Sequence, residues 1–192
     1  MIDGERLSEE EGKKLLKVAR DTIQSALGEQ KSEGAGEEVL SPVLSERRGT
    51  FVTLTLQGAL RGCIGRIIPR EPLLEGVKAN AIQAAFQDPR FRPLSRGELD
   101  QVKIEVSILT EPVPLSYSEA HDLMNKLKPG TDGVILKKGC KQATFLPQVW
   151  EQLPKPEDFL THLCLKAGLE GDAWKHDKLD VSVYRVQAFE EE

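Results

Sequence analysis

The sequence predicts an α+β fold built on a largely antiparallel sheet flanked by helices. Segments with strand-like alternation and segments with helical periodicity follow one another without the regular β-α-β order of a parallel sheet. At least two pairs of strand segments are separated by short glycine-containing turns, which is typical of β-hairpins. The chain shows no internal repeat of about 20–50 residues, which excludes solenoids and propellers.

The chain is predicted to begin with one amphipathic helix. Ser8 and Glu11 form a capping-box pattern, in which a serine side chain and a glutamate three residues later cap the helix start. Apolar residues then recur at helical spacing, so we expect a helix from about 9 to 27. The stretch 29–38 is polar and contains glycine, which predicts a flexible connection.

A hairpin and a second helix are predicted to follow. Apolar and hydroxyl residues alternate over 51–56, and a second apolar segment over 60–68 follows the turn residue Gly58. Pro72 suits the first turn of a helix that continues to about residue 87, where Asp88 precedes a proline and ends it.

The second half begins with the clearest strand of the sequence. Valine and isoleucine alternate with polar residues over 102–108, as in a strand with one buried face. The other predicted elements are a helix over 117–127, a hairpin of 134–136 and 143–146, helices over 147–152 and 157–167, and a last strand over 181–188.

Length and composition indicate one soluble domain in a reducing compartment. The chain has 192 residues, of which 39% are hydrophobic and 30% charged, and no stretch approaches the roughly 20 apolar residues of a membrane span. The acidic N-terminus lacks the apolar region of a secretion signal, so we expect a cytoplasmic protein. The three cysteines are too scattered for a disulfide framework or a zinc site, and no nucleotide-binding fingerprint is present, so no metal or cofactor is assigned.

Positive charge is concentrated in one segment. The net charge of the chain is −5, which argues against a general nucleic-acid binder. Residues 47–96, however, hold nine basic and three acidic residues, and eight of the nine are arginines. Arginine is well suited to planar and bidentate anions, so the segment predicts a site for an anionic small molecule. The alternative is a solvated face paired with acidic neighbours.

The most unusual string is LRGCIG over residues 60–65. Gly62 and Gly65 allow close approach of a ligand to the backbone, and exposed amides there could bind an anion. Arg61 lies two residues before Cys63, which would place both on one strand face, where the cation would favour the thiolate. We therefore expect Cys63 to alkylate faster than Cys140 or Cys164. The alternative is a buried cysteine in a glycine-containing hairpin.

The loop DPRFRP over residues 88–93 could form a substrate rim. Arg90 and Arg92 could hold an anion there, with Asp88 beside them; alternatively, Asp88 pairs Arg90 locally and Phe91 fills the core. Glu105 projects from the face of the clear strand opposite its apolar face, toward solvent or a cleft.

Several strings together resemble the AMMECR domain family, also called protein A of the AmmeMemoRadiSam system. They are LRGCIG, RGTFVTL (48–54), DPRF (88–91), EVSILT (105–110), ATFLPQVW (143–150) and KAG (166–168), in the family's order. The resemblance covers the chain from the first helix to Phe189. It implies a cytoplasmic α+β protein of a larger and a smaller lobe, with LRGCIG near the groove between them. It carries no established activity and no agreed catalytic residues.

The resemblance also implies a genomic association with a Memo-like protein and a radical-SAM protein. Three functions therefore stay open, and whether the chain is an enzyme is one of the open questions. In the first, the chain docks these partners through a groove near the motif. In the second, it is a thiol enzyme in which Cys63 and Arg61 act on an anionic substrate. In the third, it is a binding module for a nucleotide, phosphate or carboxylate. In the binding module, five arginines would converge on one cleft: Arg48, Arg61, Arg66, Arg90 and Arg92.

For the lobes, we expect one domain over 1–192 with a smaller lobe over roughly 112–150, fed by the turn at 129–133. The main sheet is expected to contain the strands over 51–57, 102–109 and 181–188.

Overall fold

The structure is a computed structural model that describes residues 6–28 and 41–192, so the predicted connection over 29–38 lies outside the described residues. The helices and strands in chain order are α1 (Glu9–Ala26), β1 (Thr50–Leu56), β2 (Ala59–Arg66), α2 (Leu73–Phe86), α3 (Arg96–Leu99), β3 (Val102–Leu109), β4 (Val113–Pro114), α4 (Ala120–Lys126), β5 (Gly133–Lys138), β6 (Lys141–Phe145), α5 (Pro156–Lys166), α6 (Ala173–His176), β7 (Asp180–Tyr184) and β8 (Val186–Glu190). Short 3₁₀ helices span Pro42–Ser45 and Pro147–Glu151. The fold is α+β, as predicted.

The chain divides into two compact units. The first unit comprises the described residues up to Leu109 together with Gln187–Glu192, and the inserted unit comprises Thr110–Val186. Each unit holds one four-stranded sheet and its own core of buried side chains. The sequence predicts a smaller lobe over 112–150, whereas the inserted unit continues through α5, α6 and β7. It does so because side chains of these elements belong to the same core as those of β5.

The sheet of the first unit has the order β2-β1-β3-β8, with β1 paired antiparallel to both β2 and β3. Val52 and Leu54 on β1 point to the core side and are fully buried, as are Ile104 and Val106 on β3. Helix α2 packs on β1 and β2, while α1 packs on β3 and α2. The capping box at the start of α1 is confirmed, since Ser8 and Glu11 exchange both hydrogen bonds.

The predicted hairpin of β1 and β2 is confirmed and closes through a two-residue turn. Gln57 and Gly58 both have positive φ, 52° and 80°, which is the backbone of a type I′ turn. The pairing register then shifts by one residue, because Leu54 faces Gly62 while Thr55 faces Leu60. Arg61 is the extra residue of this β-bulge.

The inserted unit contains a sheet of order β4-β7-β5-β6. The second predicted hairpin is β5 and β6. Trp150 and Phe159 stack with ring centroids 3.7 Å apart. The hydroxyl of Tyr184 is buried and bonds Thr144 Oγ1 and the carbonyl of Phe145. This burial raises the pKa of Tyr184 to about 12.

The prediction of one last strand over 181–188 in the main sheet is wrong. The segment forms two strands that belong to different sheets: β7 pairs with β5 in the inserted unit, and β8 lies beside β3 in the first unit. The break falls at Arg185, whose N–H donates to Thr110 Oγ1. Across the described ranges, no helix is both long and apolar enough to cross a membrane.

Candidate functional site

The LRGCIG string forms most of β2, an edge strand of the first unit. The bulge at Arg61 interrupts the two-residue alternation, so spacing alone does not place Arg61 beside Cys63. The Arg61 side chain is buried and its Nε donates to Glu98 Oε1 at 2.9 Å. Its guanidinium also lies 5.9 Å from the centre of the Phe91 ring. Arg61 therefore connects β2 to α3 through Glu98 and to the loop before α3 through Phe91.

The two glycines of the string are explained by close packing. A Cβ on Gly62 would lie 2.2 Å from the carbonyl oxygen of Ala84, so α2 can approach β2 only at glycine. A Cβ on Gly65 would lie 2.3 Å from both the Phe51 ring and the carbonyl oxygen of Thr50. The sequence predicts that a ligand approaches the backbone at these glycines, but atoms of Ala84, Phe51 and Thr50 occupy that space.

Asp88 and Arg90 form a clamp on the backbone of Cys63. The Asp88 side chain is 1% exposed, and its Oδ2 accepts a hydrogen bond from the Cys63 N–H at 2.9 Å. Arg90 donates to both carboxylate oxygens of Asp88 and to the carbonyl of Cys63. The Arg90 guanidinium holds the pKa of Asp88 well below its usual range. We call these two residues the Asp88–Arg90 clamp.

The clamp is the local pairing of Asp88 with Arg90 that was the alternative prediction for this loop. Phe91, however, does not fill the core: it is half-buried, with the guanidiniums of Arg61 and Arg90 at 5.9 Å and 5.5 Å from its ring centre. Arg92 is exposed.

The Cys63 side chain lies in a polar row on the sheet face opposite the core side. Thr53 is paired with Cys63 on one side and with Glu105 on the other. Thr53 Oγ1 donates to Cys63 Sγ at 3.2 Å, and Glu105 accepts from Ser107 at 2.8 Å. Glu105 is half-buried.

Burial raises the pKa of the Cys63 thiol, and Glu105 and Asp88 act in the same direction. The Thr53 hydrogen bond and the Arg90 charge oppose the rise. Arg90, and not Arg61, is thus the guanidinium that acts on this thiol. The structure does not supply the low-pKa thiol that the spacing of Arg61 and Cys63 suggested.

The five arginines expected in one cleft are found in separate places. Arg61 and Arg90 lie against Phe91 and pair with Glu98 and Asp88. Arg48 pairs with Glu46 at 2.7 Å, and Arg66 lies 3.7 Å from Glu71. Arg48 and Arg66 line a small pocket that also includes Arg70, Thr50 and Asn80.

The sequence did not predict Glu98, Thr53 or Arg70 as site residues, although Arg70 belongs to the basic segment 47–96. A signal existed for Glu98, because Ser95 and Glu98 form a capping box at α3. The same carboxylate binds Arg61, which lowers the pKa of Glu98 to about 2. Among the described residues, no group of three or more His, Cys, Asp or Glu side chains could hold a metal ion.

Comparison with known proteins gives consistent matches over nearly the whole chain. The family model described as AMMECR1 matches residues 16–189. A protein of Methanosarcina barkeri is 43% identical, with 96% of this chain and 92% of that protein covered. A protein of Thermofilum pendens is 40% identical, with 97% and 92% covered.

The fold is also similar to a crystal structure of an uncharacterised protein from Pyrococcus horikoshii. The TM-score is 0.84 at 37% sequence identity, with 97% of this chain and 94% of that chain covered. These matches and the LRGCIG string on β2 lead to one conclusion: the chain belongs to the AMMECR1 family.

Proposed function

We propose that the chain is a cytoplasmic docking module that acts with a Memo-like protein and a radical-SAM protein. The docking surface, which we call the motif surface, consists of Leu60, Cys63, Arg90, Phe91 and Arg92. The family resemblance described above supports the choice of partners, and the geometry at β2 supports the choice of surface.

The Asp88–Arg90 clamp carries this proposal. It fixes both the N–H and the carbonyl of Cys63 while 53% of the Arg90 side chain stays exposed. A surface held rigid before binding loses little conformational entropy when a partner docks. Arginine and aromatic side chains are also the residue types that contribute most to protein–protein affinity.

Two observations make a thiol enzyme the weaker alternative. The pKa of Cys63 is raised, so the thiolate is the minor form at neutral pH. The Cys63 N–H already donates to Asp88, so this N–H is not free to stabilise an oxyanion. The five-arginine cleft is weaker as well, because four of its members have carboxylate partners.

Isothermal titration of the chain with each purified partner from the same genome tests the proposal. Leu60→Asp and Arg92→Glu change exposed side chains of the motif surface and should weaken binding about tenfold or more. Leu165→Asp is the matched control, since Leu165 is an exposed leucine of α5 in the inserted unit. The proposal fails if neither partner binds, or if Leu165→Asp weakens binding as much as Leu60→Asp.

A footprint on the cysteines provides a second measurement. Bound partner should slow alkylation of Cys63 and leave that of Cys140, on the turn between β5 and β6, unchanged. Equal rates at Cys63 with and without a saturating partner would place the interface elsewhere.

A further inference from the structure

A small pocket beside β1 and β2 gathers three arginines from separate parts of the chain. Arg48 precedes β1, Arg66 ends β2, and Arg70 lies in the following loop. The hairpin register explains their proximity: Thr50 is paired with Arg66, so the residues before β1 lie beside those after β2. Gly49 confirms this contact, since a Cβ there would lie 2.3 Å from the carbonyl oxygen of Ile67.

The floor of the pocket is a buried polar pair. Asn80 on α2 and Thr50 are 2% and 3% exposed. Asn80 Nδ2 donates both of its hydrogens to Thr50, at 3.1 Å to the carbonyl and 2.7 Å to Oγ1. Because Thr50 Oγ1 accepts from Asn80, its own proton is left to donate to an acceptor in the pocket.

The floor opens into a cavity of about 10 Å³, which is room for roughly one oxygen-sized atom. Gly76 on α2 forms part of its wall, and a Cβ at that position would lie 3.3 Å from Thr50 Oγ1. The absence of a side chain at residue 76 therefore keeps this space beside the hydroxyl.

The charge of the lining is positive. Its charged side chains are those of Arg48, Arg66, Arg70 and Glu71, and Glu46 outside the lining pairs with Arg48. The Arg66–Glu71 contact is long, at 3.7 Å, and both side chains are about a third exposed. Arg70 makes no ion pair with any residue that the structure describes.

We propose that this pocket binds a phosphate group, with one oxygen in the space beside Thr50 and the others on the guanidiniums of Arg66 and Arg70. Three cations around a single hydroxyl donor suit a tetrahedral dianion, because guanidinium donates in pairs to phosphate oxygens. The site is separate from the motif surface and does not depend on the docking function proposed above.

Isothermal titration with inorganic phosphate at low ionic strength tests the site. We expect one saturable event that 0.5 M NaCl weakens strongly, because the contacts are partly exposed. Arg66→Gln and Arg70→Gln should each weaken binding about tenfold, as expected for loss of a charged hydrogen bond. Arg92→Gln is the matched control: it removes the same charge from the same arginine-rich segment outside the pocket, and phosphate affinity should stay unchanged.

Gly76→Ala separates the shape of the pocket from its charge. Alanine is the better helix former, so the variant should fold, while its methyl group narrows the space beside Thr50. Phosphate binding should fall at least tenfold with every arginine retained. Acetate, a monoanion, should bind more weakly than phosphate, and adenosine monophosphate should bind if the pocket accepts a phosphate ester as well as the free ion.

The phosphate site is overturned if no saturable event occurs, or if Arg92→Gln weakens it as much as Arg70→Gln. It is also overturned if acetate binds as tightly as phosphate, or if Gly76→Ala is folded and retains full affinity. Failure of adenosine monophosphate alone would assign the pocket to the free ion.

Discussion

Arg61 and Glu98, 37 residues apart in sequence, form a nearly buried ion pair with Nε and Oε1 2.9 Å apart. Glu98 is at the same time the capping carboxylate of α3, since it accepts from the N–H and the hydroxyl of Ser95. One side chain thus determines where a helix starts and where the bulged arginine of β2 lies.

Glu98→Gln should destabilise the protein at neutral pH and remove a pH dependence. The hydrogen bond from Arg61, followed by those from Ser95, lowers the pKa of Glu98 from 4.5 to about 2. A lowered folded-state pKa contributes stability above the unfolded value, and this contribution is lost as pH falls from about 4.5 to 2. The variant should lose about 2 kcal/mol at pH 7 and little at pH 2.

Urea denaturation of both proteins across pH 2–7 provides the measurement. Glu75→Gln is the control, because Glu75 pairs with Lys78 on the exposed side of α2 and should cost less than about 1 kcal/mol. A constant difference between wild type and Glu98→Gln at all pH values would contradict the assignment.

Asp88→Asn should destabilise the first unit by about 2 kcal/mol. The amide keeps one acceptor but cannot satisfy Arg90 on two oxygens while also accepting from the Cys63 N–H. Chemical denaturation measures the loss, and Asp100→Asn, at an exposed position after α3, is the comparison. Equal stability of the two variants would mean that the clamp contributes nothing to folding.

Gly62→Ala should cost about 3 kcal/mol, because its methyl group would overlap the Ala84 carbonyl and push α2 away from the sheet. Gly97→Ala has nothing within 4 Å of the added methyl group, so its effect should be small. The melting temperatures of the two variants distinguish the loss of packing at Gly62 from a general effect of replacing glycine with alanine. If the Gly62→Ala variant is as stable as Gly97→Ala, then α2 and β2 are not in close contact at residue 62.

Alkylation by iodoacetamide at pH 7 should proceed in the order Cys140, then Cys63, then Cys164. Cys140 is exposed, whereas Cys63 is half-buried with a raised pKa, and Cys164 is buried with a raised pKa. This order reverses the expectation drawn from the spacing of Arg61 and Cys63. Peptide mapping over time gives the three rates, and fastest labelling at Cys63 would restore the reactive-thiol hypothesis.

Local sequence signals predicted the elements whose formation is decided locally. The Ser8–Glu11 capping box, the alternation over 102–108 and both hairpins were readable, because each depends on neighbouring residues or on turn chemistry. The division of the predicted last strand into β7 and β8 could not be predicted from the sequence. Its apolar pattern continues across Arg185, and membership of two sheets depends on partners far away in the sequence.

The candidate site illustrates the same limit. The single extra residue at Arg61 changes which side chains of β2 share a face of the sheet. The residue types around Arg61 do not predict that a β-bulge occurs there. The pair Arg61–Glu98 joins β2 to α3, 37 residues away, and the pair Cys63–Asp88 joins β2 to the loop after α2, 25 residues away. Contacts between residues so far apart in sequence depend on tertiary packing, and the spacing of residues along one strand does not predict them.

The Asp88–Arg90 clamp also limits the addition of another strand to the sheet of the first unit. β2 is the outer strand of its sheet, and the clamp occupies the amide and carbonyl of Cys63 that an additional strand would otherwise bond. The charged, proline-containing loop thus blocks the addition of a further β-strand at Cys63, while the exposed side chains of the motif surface stay accessible to a docking partner. Loss of the Asp88 carboxylate would leave the Cys63 N–H without its acceptor and available to bond a strand from another molecule.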